Sequence, residues 1–448
     1  MTLDEIYKQF DEHGIRRVKL GAFDMDAVLR GKYISLDKFA SAAESGFGFC
    51  DVIFGWDIGD VLYDNVTLTG WHTGYPDALA KIDLETFRRI PWEPGTAFFL
   101  IDLYKPDGAP LAVSPRQLLR SVIQQAEARG FEPHFAAEYE FWLFEETARS
   151  LREKGFRNLT PLTPGMFGYS VLRASANCEL VTGLMDQLSQ FNLPLEGFHT
   201  ETGPGVFEAA IEVDTALAAA DKAALFKTAV KEIAGRRNLV PTFMAKWNAE
   251  LPGSSGHLHQ SLWDRAWRKN LFYDGDGAMS ATMRQYVAGL IENMPDVMAM
   301  VCPTINSYKR TVPGTWAPVN ATWGIDNRTT AVRAIPARAK STRVELRLSG
   351  ADINPYVAMA ASLAAGLQGI EDQAEPPEPV RNAYESKGAA PLPLTLAEAT
   401  RLFRTSEFTR KWFGDEFVEH HAATREWEVR QYNKAVTDWE LARYFESI

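Results

Sequence analysis

The sequence predicts an α+β fold in two units, and three observations predict it. Segments with strand character lie scattered among segments with helical character, with few β-α-β alternations, which argues against a doubly wound sheet. A chain of 448 residues is long enough for a large core and two domains. Neither a Gly-x-Gly-x-x-Gly turn nor a P-loop stands where a nucleotide-binding βαβ unit would need one.

Residues 1 to about 105 read as a small α+β unit. Thr2-Leu3-Asp4-Glu5 is a capping box and opens a helix over about 3–13. Residues 17–24 alternate polar and apolar and read as a strand. Further short strands lie between Leu84 and Leu103, broken by Pro91 and Pro94. Phe54-Gly55-Trp56-Asp57-Ile58-Gly59-Asp60 is too acidic and too Gly-punctuated for a core, so it reads as a loop. Ser114-Pro115-Arg116-Gln117 supplies a cap, a first-turn proline and a third-position Gln, and starts a helix that stops at Gly130. The unit boundary falls just before it, separating 1–107 from 108–448.

The next strand covers 137–144. Residues 145–175 are loop-rich, 176–191 are helical, and strands follow near 195–201 and 206–213. An Ala/Lys-rich helix spans about 215–238, and a strand over 241–247 leads into 251–261. A helix near 280–300 precedes Arg-rich segments that run to Leu348. Asn354-Pro355 caps a helix to about Gly369, 372–394 is Pro-rich and irregular, and Thr395-Leu396-Ala397-Glu398 opens a helical C-terminal part. There is no internal repeat.

Composition excludes several classes. With 46% hydrophobic and 23% charged residues, the chain is neither disordered nor a membrane protein, and no run of about 18 apolar residues occurs. A net charge of -11 without a Lys/Arg stripe argues against a nucleic-acid partner, although local arginines can still attract an anionic small molecule. Cys50, Cys178 and Cys302 fit no zinc spacing and read as free, inert thiols of a reducing compartment. No basic-then-apolar leader precedes the first helix, so the cytoplasm is the expected location.

The chemistry gathers around Ala137-Glu138-Tyr139-Glu140-Phe141-Trp142-Leu143-Phe144. On a strand Glu138 and Glu140 project to one side. Two neighbouring carboxylates need a compensating cation unless they are simply solvated; for this motif alone both readings stay open. Three more segments bear on it. Glu201-Thr202-Gly203-Pro204-Gly205-Val206-Phe207-Glu208 has a Gly-Pro-Gly turn that brings two glutamates together. His257-Leu258-His259 puts two imidazoles on one strand face. Arg343-Val344-Glu345-Leu346-Arg347 sets Arg, Glu and Arg on one face. Five glutamates and at least one imidazole suit Mg²⁺ or Mn²⁺; zinc would call for more Cys and His. Arg310, Arg328, Arg333, Arg338, Lys340, Arg343 and Arg347 accompany them. Each alone reads as a surface residue, but together they suit polyphosphate and carboxylate ligands, and hence metal-assisted phosphoryl transfer.

These segments resemble the type I glutamine synthetase superfamily along nearly the whole chain. The matches are 137–144, His199 through Glu208, Gly253-Ser254-Ser255-Gly256-His257-Leu258-His259-Gln260-Ser261, Asn306-Ser307-Tyr308-Lys309-Arg310, Asn327-Arg328 and 343–347. The resemblance implies a β-grasp-like N-terminal domain and a catalytic domain with a curled antiparallel sheet. It also implies a homo-oligomer, a dodecamer of two stacked hexamers with sites between neighbours. Glu140, Glu201 and Glu208 resemble ligands of the metal nearer the amino acid; Glu138, His257 and Glu345 resemble those of the metal nearer ATP. Arg310 resembles the clamp on the substrate α-carboxylate, with Gly253 in the loop beneath it. Arg328 and Arg347 resemble stabilisers of the transferring phosphoryl group. Glu196, His259, Ser261, Arg333, Lys340 and Arg343 are similar to nucleotide-side positions, and Tyr169 to a residue of the amine pocket. The implied reaction activates the glutamate γ-carboxylate with ATP and passes it to an amine.

Two departures bear on the amine. Ammonium-using members carry a glutamate in the flap after the Lys-Arg pair; here Trp316 stands in its place. The family's N-terminal Asp-Gly-Ser-Ser is replaced by Phe54-Gly55-Trp56-Asp57, with Asp57 of a neighbouring subunit a candidate base. An indole offers apolar contact and about 0.5–2 kcal/mol of cation–π attraction, but not the hydrogen bonds that ammonium needs. The expected acceptor is therefore a small primary alkylamine, methylamine first, and the match resembles γ-glutamylmethylamide synthetases. Polyamine or ethanolamine ligation, ammonium use, and an inactive structural relative are the alternatives.

Overall fold

The computed structural model describes every residue except Trp267, Asp276 and Lys387. Among the described residues, fifteen strands form two sheets. The first holds β1 (Arg17–Phe23), β2 (Leu29–Ile34), β3 (Phe47–Cys50), β4 (Asp77–Ile82), β5 (Arg88–Arg89) and β6 (Thr96–Tyr104). Their order is β2-β1-β6-β4-β3, with β5 also on β6. The β1–β6 pair is parallel and the other pairs are antiparallel.

The second sheet holds β7 (Phe131–Phe144), β8 (Leu195–Thr200), β9 (Val206–Ile211), β10 (Asp214–Thr215), β11 (Val240–Thr242), β12 (Gly256–Asp264), β13 (Trp323–Ile325), β14 (Val332–Ile335) and β15 (Arg343–Leu346). It runs β13-β14-β15-β12-β7-β9-β8, with β10 and β11 also on β7. Its pairs are antiparallel except β13 with β14 at one end. The α+β class with a curled, mainly antiparallel catalytic sheet is therefore as expected.

β7 is the spine of this sheet. Its alternation sends Ala137, Tyr139 and Phe141 into the core. There Tyr139 stacks on Phe226 of the helix Ala216–Gly235, and Phe141 stacks on Phe243. The opposite face is left to Glu138 and Glu140. Behind the sheet, the helices Ala281–Val301 and Pro355–Glu371 cross at close range through Gly289 and Gly369. A Cβ on Gly289 would lie 2.2 Å from the Ala365 carbonyl oxygen, so no larger residue fits this crossing. One hydrophobic cluster runs continuously from Ile6 through both sheets to Ala422.

Several elements differ from the sequence expectation. The helix Pro115–Ala128 forms, but the Ser114 side chain makes no capping bond. Its start is fixed by Arg116, which donates to Asp102 at 2.9 Å, to Asp221 at 2.8 Å and 2.9 Å, and to Asp83 at 2.8 Å. The Tyr356 hydroxyl also donates to Asp221 at 2.6 Å. This buried hub ties the first sheet to the helices behind the second. The expected strand over 241–247 shrinks to β11, because the following backbone turns away: Ser254 N–H donates to the Ala245 carbonyl and Lys246 N–H to Asn306 Oδ1. β7 starts six residues earlier than expected, at Phe131. β2, the helix Leu36–Ser45, β3 and β4 had no counterpart in the sequence reading.

The hub makes a stability prediction. Arg116→Met leaves three carboxylates facing one another out of water, and urea unfolding at neutral pH is expected to show a loss of about 3–5 kcal/mol. Ser114→Ala removes no capping bond and is expected to change stability by less than about 0.5 kcal/mol, below the usual cost of losing a cap.

Candidate active site

Strand register builds the site. Residues opposite one another in an antiparallel pair share a face. Glu140 on β7 lies opposite Glu208 on β9, which lies opposite His199 on β8. Glu138 lies opposite His257 on β12. His259 lies opposite Glu345 on β15, which lies opposite Arg333 on β14. One charged row therefore crosses six strands on the face turned away from the core.

Two groups of metal-binding atoms lie along this row. Glu138, His259 and Glu345 offer ligand atoms within 4.8 Å of one another, as do His199, Glu201 and Glu208. The Gly203-Pro204-Gly205 turn does bring Glu201 and Glu208 together, with Gly203 seated against the Trp142 indole, where a Cβ would come within 2.2 Å.

Acids and bases are unevenly shared along the row, and the titration behaviour reflects it. Burial pushes Glu208 up to about 8, with the charges of Glu138 and Glu140 adding to it and His199 opposing. Burial disfavours the charged form of His199, but Glu208 at 3.1 Å outweighs it and raises the ring to about 9. Burial also raises Glu140, against a 2.6 Å bond from the Ser255 amide and the charge of Arg310. Burial would raise Glu345 too, but His257, His259, Arg347 and Arg333 together hold it at about 2. Arg333 Nη1 donates to it at 2.8 Å.

The two imidazoles have different roles. Arg343 Nε donates to His259 Nδ1 at 3.1 Å, which leaves the ring proton on Nε2, facing Glu138 at 3.4 Å. His257 Nδ1 lies 3.5 Å from Glu138 and 3.3 Å from Glu345, and burial pulls that ring down to about 4, so it is neutral with a lone pair to give. Its Nε2 is buried without a partner among the described residues, as is Arg347 Nε. Glu138, Glu345 and His259 could together hold one divalent cation, with His257 facing the same two carboxylates, and His199, Glu201 and Glu208 could hold a second, with Glu140 across the strand pair from Glu208. The donors are oxygen and imidazole, without thiolate, which suits Mg²⁺ or Mn²⁺.

A family model described as "Glutamine synthetase, catalytic domain" matches residues 112–444. The chain belongs to the glutamine synthetase family. Enzymes of this family use ATP and divalent metal ions, and the chain is accordingly an ATP-dependent carbon–nitrogen ligase. It is 48% identical over 438 residues to the type-1 glutamine synthetase 2 of Dictyostelium discoideum, covering 96% of this chain and 84% of that one. It is 41% identical to the glutamate–isopropylamine ligase of a Pseudomonas species, covering 98% and 96%. Among solved structures, the GmaS/ADP complex superposes with a TM-score of 0.86 at 30% identity, covering 99% of both chains.

Within this glutamine synthetase fold, the remaining expected residues occupy different settings. Arg310 is buried, donating to the Leu348 carbonyl and Ser255 Oγ at 2.9 Å, and Gly253 lies against its stem, where a Cβ would meet Arg310 Cγ at 2.7 Å. Tyr169 stacks on His199 with ring centres 4.3 Å apart. Ser261 accepts a bond from the Trp263 indole at 2.9 Å. Arg328, Lys340 and Glu196 are exposed and make no hydrogen bond or ion pair among the described residues; Glu196 sits at the register shift of β8. Trp316 is 65% exposed on a loop, with φ of 60°.

Asp57 is bonded within its own chain. Its Oδ1 accepts from the Gly59 and Val61 amides and its Oδ2 from the Trp427 indole at 2.9 Å. These bonds shape its own loop and leave the carboxylate further acceptor capacity. His199 lies in one of the matching motifs, and the sequence alone assigns it no role. Its spacing of two from Glu201 and its place across the hairpin from Glu208 were the available signal.

The geometry predicts two separable cation sites. In calorimetric titration with Mn²⁺, Glu345→Gln is expected to weaken one binding event by more than about tenfold and spare the other, with Glu208→Gln doing the reverse. Mn²⁺ should raise the wild-type unfolding midpoint, and each variant should keep only part of that rise.

Proposed function

We propose that the chain joins the γ-carboxylate of L-glutamate to a small primary alkylamine, methylamine first, through γ-glutamyl phosphate. The products are the γ-glutamylalkylamide, ADP and phosphate. Divalent cations at the two acid groups supply the charge neutralisation that lets a carboxylate approach a polyphosphate. Arg310, turned from its carbonyl partners, holds the α-carboxylate over the Gly253 loop. Arg347, with its unpartnered Nε, and the exposed Arg328 donate to the transferring phosphoryl group. Arg333, Lys340, Arg343, His259, Ser261 and Glu196 serve the nucleotide.

Trp316 carries the choice of amine. Its indole stands exposed on the flap while its neighbour Ala317 is buried, so it is not a core residue. With Tyr169 it offers aromatic faces to a cation that brings its own alkyl surface. The isopropylamine specificity in the name of one relative supports a carbon-bearing amine. A long polyamine is less suited, because Asp57, Asp60 and Asp64, the acids available for its far end, are already bonded to Trp427, Arg30 and Arg430. Ammonium is the competing acceptor, favoured by the name of the Dictyostelium relative. The division at 107/108, the dodecamer of stacked hexamers and the cytoplasmic location belong to the same reading. The change of sheet across residues 105–130 and the family membership support them.

The test is phosphate release with glutamate, ATP and a panel of ammonium, methylamine, ethanolamine and putrescine. Methylamine is expected to give the highest kcat/KM, and Trp316→Glu to shift the methylamine-to-ammonium ratio toward ammonium by about tenfold, the worth of one cation–π contact. Faster turnover of ammonium than of every carbon-bearing amine overturns the reading.

A further inference from the structure

Residues 377–386 and 388–391 form a strap across the root of the Trp316 flap. Trp323 Nε1 donates to the Pro377 carbonyl at 2.7 Å, and Asn327 Nδ2 to the Val380 carbonyl at 2.8 Å. The Val380 amide donates to the Trp323 carbonyl at 2.9 Å. Asn320 Nδ2 donates to the Ala383 carbonyl at 2.9 Å, and the Ala383 amide to Thr329 Oγ1 at 3.1 Å. The Ala321 amide donates to the Ala390 carbonyl at 3.1 Å. The strap is thus anchored on both sides of one short turn, Ala383–Glu385.

That turn aims a single side chain at the flap. Asn382 Oδ1 accepts from the Tyr384 amide at 3.1 Å and sets the residue's orientation. The Tyr384 hydroxyl donates to the Ala317 carbonyl at 3.2 Å. The backbone of Gly314 and Trp316 faces the same phenol oxygen, as do the charges of Arg347 and Arg310 more distantly. Gly314 and Trp316 both hold positive φ, a backbone that for Trp316 must be held by its surroundings. No other side chain among the described residues bonds across to Ala317.

We infer that Tyr384 is the positioning residue of the flap: its hydroxyl clamps the 314–317 backbone, so that Trp316 roofs the amine site and water is kept from the activated acyl group. This rests on the proposed reaction. If the clamp loosens, water attacks the acyl carbon of γ-glutamyl phosphate, the C–O bond to phosphate breaks, and glutamate and phosphate leave without amide. ATP is then consumed without product.

The experiment measures amide formed per phosphate released in Tyr384→Phe, using whichever amine of the panel, ammonium included, turns over fastest in the wild type. Amine identity and flap coupling are thereby read separately. Expected are a clear fall in that ratio and a rise of about fivefold in the amine KM, the worth of one hydrogen bond, with the glutamate and ATP KM values and the unfolding midpoint unchanged. Asn320→Ala, which frees the strap beside Ala383, should shift the ratio the same way. An unchanged ratio and amine KM in Tyr384→Phe overturns the inference. So does a uniform rise of all three KM values with a lowered midpoint, which marks general damage.

Discussion

The structure depends on keeping several carboxylates together on one face of a sheet. Glu138 and Glu140 belong to β7, whose other face is buried in aromatic core, so the strand cannot rotate or slip to relieve their repulsion. A one-residue slip would carry both glutamates into the hydrophobic cluster. Compensation must therefore come from what the neighbouring strands bring. β12 brings two imidazoles, β15 brings one more carboxylate between two arginines, and β8 brings His199 against Glu208.

The compensation is uneven, and the unevenness is chemical information. On the β14–β15 side His257, His259, Arg347 and Arg333 together outweigh burial and hold the Glu345 carboxyl down at about 2. On the β8–β9 side burial pushes Glu208 up to about 8, and the charges of Glu138 and Glu140 add to it against His199. The first side is suited to an anion as rich in charge as a nucleotide. The second is deficient in positive charge, a deficit that a bound cation would offset. A buried cluster of this kind contributes little to stability by itself, since desolvation offsets the attraction of its pairs. The continuous core beneath it and the Arg116 hub hold the scaffold.

Much of this was legible in the sequence because it depends on local pattern. The alternation of 137–144, the His257-Leu258-His259 triplet and the Gly-Pro-Gly turn each fix which side chains share a face, whatever the partner strand. What the sequence hid depends on register or on distant partners. The bonding of Asp57 to Trp427 joins residues 370 apart. Ser114 has the cap pattern but not the bond, because Arg116 found three acids to anchor the helix instead. β2 to β4 are short and mixed in polarity, and they exist through pairing, β2 with β1, β4 with β6 and β3 with β4, not through propensity. His199 gained its role only when β8 was laid against β9.

The two acid groups are also joined through β7. Glu138 serves one and Glu140 borders the other, two residues and about 7 Å apart along the strand. The charge of Glu138 is among the causes that raise Glu208 in the other group. Neutralising either group therefore eases ionisation of the other, and the space between them lies under the influence of both. That is where a phosphoryl group passing from a polyphosphate to a carboxylate would develop its charge. The spacing is set by the pleat of one strand, which packing on its opposite face holds rigid. The precision of the charged face is thus inherited from the apolar one, with Tyr139 and Phe141 locked against Phe226 and Phe243 so that Glu138 and Glu140 cannot drift.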